Sequence, residues 1–291
     1  MILANSIPVK YLFTTAKKDM IFVSLFTIVS ITIHIFVEFP DIPISVSALL
    51  GTAISLILSF RLAQSYDRWW EARMIWGSIV NDSRSLVLQL QSFSKESEKV
   101  RVEKMAKRHI AWVSAVATML RKEPLKEALK SYLKPSEFTA AQEAGHAPLV
   151  LMKKQMEDLE ALGLNTYEKI QIDSTIVRLI ASMGQAERIK NTVFPTEYQY
   201  YHHLSIYLFL GFISISLANL GHQWEIALII IIAAPFFLLE KAAEHLQDPF
   251  ENRPTDIPIT SISRNIEINI LNLIEAGPVP EPIAANEYYL N

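Results

Sequence analysis

The sequence contains no cysteine. Disulfides, thiolate nucleophiles and thiolate-bound metals are thereby excluded. Glycine is scarce, at 8 of 291 residues, and no glycine-rich phosphate loop occurs. Charge is thin as well. Asp, Glu, Lys and Arg make up 20% of the chain, and the formal net charge is -3. That leaves no basic excess to neutralise a nucleic-acid backbone. The opening residues, MILANSIPVKYLF, lack a basic start, an apolar run and a small-residue cleavage site, so no signal peptide is expected. What the chain does have is apolar residues, 51% of the total, gathered into long runs. A protein divided between bilayer and water fits this composition.

Four apolar runs mark candidate membrane spans, at about 20–37, 44–60, 204–220 and 224–239. As helices rising 1.5 Å per residue, they match or approach a hydrocarbon core of about 30 Å. His34 is the lone basic group of the first run and reads as a histidine near the far interface rather than a proton relay. Pro40 and Pro43 then force a turn. In the second run Gly51, Ser55 and Ser59 recur at every fourth position, giving a face small enough for close helix packing. A neighbouring face carries Thr52, Leu56 and Phe60. No Gly or Pro follows before Gly77, so one helix is expected from Ile44 to about Gln91. Its length, about 70 Å, exceeds a bilayer and demands a water-side domain to pack on.

The first stretch beyond the bilayer is FRLAQSYDRWWEARMIWG, from Phe60 to Gly77. It sets Asp67, Arg68, Glu71 and Arg73 among Trp69, Trp70 and Trp76. Taken alone, this is an interfacial tryptophan belt with ion pairs along one helix face. Residues 94–202 should form the water-side domain. A helix with interleaved charges runs through Trp112, Val116 and Leu120, and Pro124 is expected to open a short helix. KPSEFTAAQEAGHAP is expected to be irregular. Asn165 with Glu168 resembles a capping box, opening a long helix with Ile172, Ile176, Ile180 and Met183 on one side. His202 and His203 stand at the entrance to the third run with no third ligand at metal-binding spacing, so they read as interfacial histidines. Pro235 should kink the fourth span, and Pro249 should stop the charged helix that follows it. A last amphipathic helix, Ser261–Ile274, precedes a Pro-rich tail, 275–291, expected to be mobile. The two short loops, EFPDIPIS and ANLGHQWE, carry no Lys or Arg, whereas Lys17, Lys18, Arg61, Arg68, Arg188, Lys190 and Lys241 flank the other span ends. Both termini and the large insert should therefore be cytoplasmic.

Three blocks resemble one known family. FRLAQSYDRWWEARMIWG is similar to the signature helix of bestrophins, in particular of their bacterial homologues. AERIKNTVFPTEYQYY, which contains Glu187 and Pro195, resembles that family's entry into the third span. LEKAAEHLQDPFENRPTDIPI, with Asp248, Pro249 and Phe250, resembles the segment after the fourth. The resemblance covers about Tyr11 to Leu273. It implies an all-α membrane protein with four transmembrane helices and a large cytoplasmic helical domain, about 61–202 and 240–274. By the same resemblance the whole chain, 1–291, is expected to be a single unit that assembles as a homopentameric ring in the inner membrane.

The resemblance also implies an axial pore with two constrictions. A neck falls on Thr52, Leu56 and Phe60, where the family usually has a large apolar residue in place of Thr52. A cytoplasmic aperture falls near Ile180, Ser182 or Met183. The implied activity is passive conduction of small monovalent ions, chloride favoured, with no enzymatic step and no cofactor or metal. A cation-selective channel of the same fold and a non-conducting membrane scaffold stand as alternatives. So does ordinary helix packing for the Thr52/Leu56/Phe60 face. A di-metal enzyme using Glu240, Glu244, His245 and Asp248 is disfavoured, because paired Glu-x-x-His motifs are missing. Animal bestrophins grip calcium with an unbroken acidic run at the position of HLQDPFENRPTD. Here Arg253, Pro249 and Pro254 interrupt the carboxylates, so no dependence on micromolar calcium is expected.

Overall fold

The structure is a computed structural model that describes residues 9–37, 40, 42–192, 195–218, 222–285 and 289–290. Its regular structure is helical: α1 (Val9–Phe36), α2 (Ile44–Phe93), α3 (Lys99–Leu120), α4 (Pro135–Glu143), α5 (Ala147–Glu160), α6 (Thr166–Asn191), α7 (Thr196–Leu217), α8 (His222–Gln247) and α9 (Ile259–Leu273). Short 3-10 turns lie at Glu96–Glu98 and Glu127–Ser131. The chain divides into two compact units. One comprises Ala4–Trp69 and Val193–Gln247, and the other Trp70–Thr192 and Asp248–Asn291. Helix α2 contributes its first part to one unit and its remainder to the other, ending at Phe93, two residues past the expected Gln91.

In the first unit α1, α7, α8 and the start of α2 enclose a core that includes Val23, Ile54, Ile206, Phe209, Ile229 and Phe237. The outside is apolar too. Phe22, Leu25, Ile28 and Val29 of α1 are all exposed. A helix that is hydrophobic all round belongs in lipid or a large core. Thr14–Phe36, the stretch from Ile44 and Trp224–Gln247 are long and apolar enough to cross a membrane. Helix α7 is not among these three described helices. Its opening turns, Glu197 to His203, are polar, and of the expected 204–220 run the helix holds only 204–217. Asn219 and Leu220 of that run, and Glu38, Phe39 and Asp41 of the first short loop, lie outside the described residues. Buried polar groups pair across helices: Ser30 with Ser214 at 2.9 Å, Ser47 with Ser216 at 2.9 Å, and the Ser214 hydroxyl donates to Glu225 at 2.6 Å. In lipid an unpaired group would cost several kcal/mol. Pro235 lies inside α8, which runs on through it to Gln247.

The second unit is built on α3, most of whose residues are buried. Arg108, 1% exposed, donates to Glu137 and Asp158 at 2.7 Å each and to Gln155 at 3.0 Å, tying α3 to α4 and α5. Two expectations fail here. Pro124 opens no helix, because residues 123–126 form an irregular link before the 3-10 turn. KPSEFTAAQEAGHAP is not irregular: Pro135 and Pro148 sit in the first turns of α4 and α5, where proline's missing N–H costs nothing. The Lys134 amide donates to Glu137 at 3.4 Å and helps close the start of α4. The Asn165–Glu168 capping box forms, with bonds of 2.9 and 3.0 Å. In the tail, Pro278, Pro280 and Ile283 line a cavity of about 320 Å³ with Ile110, Leu129 and Tyr132.

Candidate functional site

The membrane part of α2 has two contrasting stripes. Ser47, Gly51, Ile54, Leu58, Arg61 and Ser65 recur at three- and four-residue steps and are all buried. Roughly opposite lie Thr52, Leu56, Phe60 and Asp67, all exposed. Leu56 and Phe60 are 58% and 60% exposed, whereas Leu58, half a turn away, is 2% exposed. The Thr52 hydroxyl donates to its own helix at Ala48, 2.8 Å away. The face predicted from spacing is therefore left largely uncovered by the described residues of its own chain. The buried stripe explains why. Gly51 meets the Phe209 ring so closely that a Cβ there would stand 2.9 Å from a ring carbon, so this side of α2 is held against α7.

The three aperture candidates on α6 separate. Ser182 and Met183 are 7% and 2% exposed and point into their own unit. Ile180 is half-buried, and the exposed side of the helix is carried by Tyr167, Ile170, Val177 and Ala181. The sequence grouped Ile180 with Met183 on one apolar face. The structure puts Met183 on the core side and Ile180 at its margin.

The tryptophan-rich helix makes bonds to other elements. Arg68 Nε donates to the Gln247 carbonyl at 3.1 Å, at the end of α8, where a cation favours the helix dipole. Glu71 accepts from Arg188 of α6 at 2.7 Å. Trp69 stacks on Tyr66, while Asp67 and Trp70 are exposed. Arg73 lies beside Gly77. In the second block Glu187 accepts from or pairs with His146 Nε2 at 2.6 Å, and Pro195 caps the start of α7 with its carbonyl accepting from Tyr198.

The loop after α8 is closed by a cation from the protein itself. Lys190 Nζ, 7% exposed, sits between Asp248, at 2.7 Å, and Glu251. These two carboxylates raise the Lys190 pKa against the opposing effect of burial. Pro249 and Phe250 follow, with Phe250 fully buried and Asn252 in the left-handed region that asparagine tolerates. Asp256 accepts from the Arg253 amide at 3.0 Å, and burial pushes its pKa up to about 6.

One cluster escaped the sequence reading. Glu240, 6% exposed, receives Arg61 at 3.3 Å, His202 Nδ1 at 3.3 Å and His203 Nδ1 at 2.9 Å. Arg61 and His202 share one carboxylate oxygen, and His203 takes the other. The paired histidines are thus partners of a buried carboxylate. A signal was present: Arg61 falls in register with Gly51, Ile54 and Leu58, and a charge on a buried stripe demands a counter-charge. Of the carboxylates considered for a di-metal centre, Glu240 holds Arg61, Glu244 holds Lys241 at 2.8 Å and Asp248 holds Lys190.

Comparison with known proteins follows the same outline. The sequence model described as Bacterial/Fungal Bestrophin protein matches residues 12–272. The voltage-dependent anion channel-forming protein YneE of Escherichia coli K12 is 29% identical over 260 residues, covering 88% of this chain and 84% of that one. A protein of the same description from Nostoc is 27% identical, covering 81% and 79%. A crystal structure of a bacterial bestrophin homologue from Klebsiella pneumoniae superposes with a TM-score of 0.80 at 24% identity, covering 89% of this chain and 98% of that one. A crystal structure of a membrane-protein variant reaches 0.83 at 23% identity, covering 90% and 100%.

Proposed function

The chain belongs to the bacterial and fungal bestrophin family, whose members are ion channels and not enzymes, and from that premise we propose that it is a homopentameric channel passing small monovalent ions, chloride foremost, down their gradient. The observation that carries this reading is the exposed Thr52–Leu56–Phe60 stripe on a helix whose opposite face is locked into its own subunit. In a ring of subunits turned inward on that face, the stripe makes three stacked rings, and apolar rings gate by dewetting. Thr52 makes the outermost ring wetter than an aliphatic side chain would. Ile180 is the aperture residue, because it alone of the three candidates keeps access to the surface. Helix α7 is the third of four spans, the protein sits in the inner membrane, and both termini are cytoplasmic, following the Lys and Arg flanks.

A second reading has its own observation. The neck carries no charge, and the next exposed charge along its face is the carboxylate of Asp67, seven residues beyond Phe60. A ring of carboxylates attracts cations. Purified protein in planar bilayers under asymmetric sodium chloride decides between them. A reversal potential near the chloride equilibrium value supports the proposal. A value near that of sodium, lost in Asp67→Asn, supports the cation reading. No conductance from protein of pentameric mass would leave only a scaffold.

A further inference from the structure

Arg61 is the only charged residue on the buried stripe of α2 within the first unit, and it immediately follows Phe60. On a helix the two side chains stand about 100° apart. Besides the Arg68 bond to the Gln247 carbonyl, about two turns beyond Phe60, three contacts help set the rotation of α2 about its axis. Ser47 bonds Ser216 at 2.9 Å, Gly51 lies against Phe209, and Arg61 meets Glu240 of α8 at 3.3 Å. The first two are near the start of the helix. The third alone stands level with Phe60, so a rotation that turns Phe60 away from its face pulls Arg61 off Glu240.

We propose that Arg61 and Glu240 are positioning residues for the neck, fixing the rotation of α2 and with it the width and wetting of the ring made by Phe60. The inference rests on the neck reading given above. The pair suits the task. Arg61 is 2% exposed and Glu240 6%, so neither is screened by water and a lost partner is not replaced by solvent. His202 and His203 hold the carboxylate from α7 and leave it no freedom to follow a turning Arg61. Asp19 from α1 and Lys241 beside Glu240 complete the charged surroundings.

The test is single-channel recording at one fixed pH on Arg61→Gln, Glu240→Gln, the double variant and Arg61→Lys. Each neutralising substitution is expected to change conductance at least threefold. The double variant should change it no further, because either loss already frees the helix. Arg61→Lys should restore most of the wild-type value by keeping the charge. Multiplying effects in the double variant, or a lowered thermal midpoint with unchanged conductance, would overturn the inference in favour of a purely structural pair. If neutralised protein does not assemble, Glu240→Asp keeps the charge and withdraws it by one methylene; a shift in conductance supports the inference and none overturns it. Leu56→Ala and Phe60→Ala serve as controls for the neck itself. If they alter conductance while the Arg61 and Glu240 variants do not, only this inference falls. If all are silent, the neck reading falls with it.

Discussion

Leu56 and Leu58 form a matched pair, two leucines on one turn of α2 whose truncation should have opposite consequences. Leu58 is 2% exposed. Removing its side chain beyond Cβ leaves a cavity, and such substitutions cost about 2–5 kcal/mol. Leu56 is 58% exposed in its subunit. Leu→Ala deletes three carbons, worth about 0.8 kcal/mol each when fully buried, so the loss here is about 1 kcal/mol. On conduction the proposed neck reverses the order: Leu56→Ala would remove a ring of apolar atoms from that neck, while Leu58→Ala would leave it untouched. A fall of only about 0.7 kcal/mol in the barrier to ion passage raises flux roughly threefold. We expect Leu56→Ala to raise single-channel conductance at least threefold and to move the thermal midpoint little. Leu58→Ala should lower the midpoint by several degrees with near-normal conductance in the channels that assemble. The measurements are planar-bilayer recording and thermal unfolding of detergent-purified protein. Equal conductance in the two variants, or a larger rise in Leu58→Ala, would refute the assignment of α2's two faces.

Three further expectations follow from the same geometry. Gly51→Ala forces a Cβ to within 2.9 Å of the Phe209 ring and should destabilise by about 1–3 kcal/mol, whereas Gly184→Ala, with no atom within 4 Å, should leave the melting temperature unchanged or slightly raised. His109 is buried against Ser83 and Trp112, and desolvation lowers its pKa to about 3. The unfolded chain takes up that proton near pH 6.5, so stability is full above 6.5 and falls as pH drops toward 3, by up to about 1.4 kcal/mol per pH unit; melts from pH 7 to 5 should show this slope reduced in His109→Gln. Currents should not change when cytoplasmic-side calcium is stepped from chelated to micromolar, because the Lys190 ammonium already occupies the space between Asp248 and Glu251; a steep rise abolished by Asp248→Asn would overturn this.

Much of the fold was legible because its elements announce themselves locally. The helix from Ile44 to Phe93 is written in the lack of any breaker before Gly77, and the start of α6 in the Asn165–Glu168 box. The exposed face of Thr52, Leu56 and Phe60 was visible as a repeat of four. Other features depend on what another segment supplies. KPSEFTAAQEAGHAP looks like a loop because proline marks both helix starts and chain breaks. It becomes helical here because Glu137 reaches a buried guanidinium on α3, more than twenty residues earlier. Ser182 and Met183 looked as eligible as Ile180, since neither identity nor spacing says which flank of a long helix a neighbouring helix will cover.

The Glu240 cluster shows why charges in apolar helices are hard to read singly. Arg61 looks like a flank that sets membrane orientation, His202 and His203 like interface anchors, and Glu240 like the first residue of a water-side helix. Each of those readings is locally sufficient, and none requires the others. Only when α2, α7 and α8 are packed does it emerge that all four side chains share one site, in which Arg61, His202 and Glu240 are buried and His203 is half-buried. Burial then changes the energetics. An exposed ion pair contributes about 0–1 kcal/mol, but breaking a buried one by removing a single partner costs about 3–5 kcal/mol. A helix held by such a pair has a sharply defined rotation, and the residue after Phe60 is where the neck would need one. The positive flank used to orient the protein in the membrane and the proposed anchor of its pore are therefore, at Arg61, the same charge.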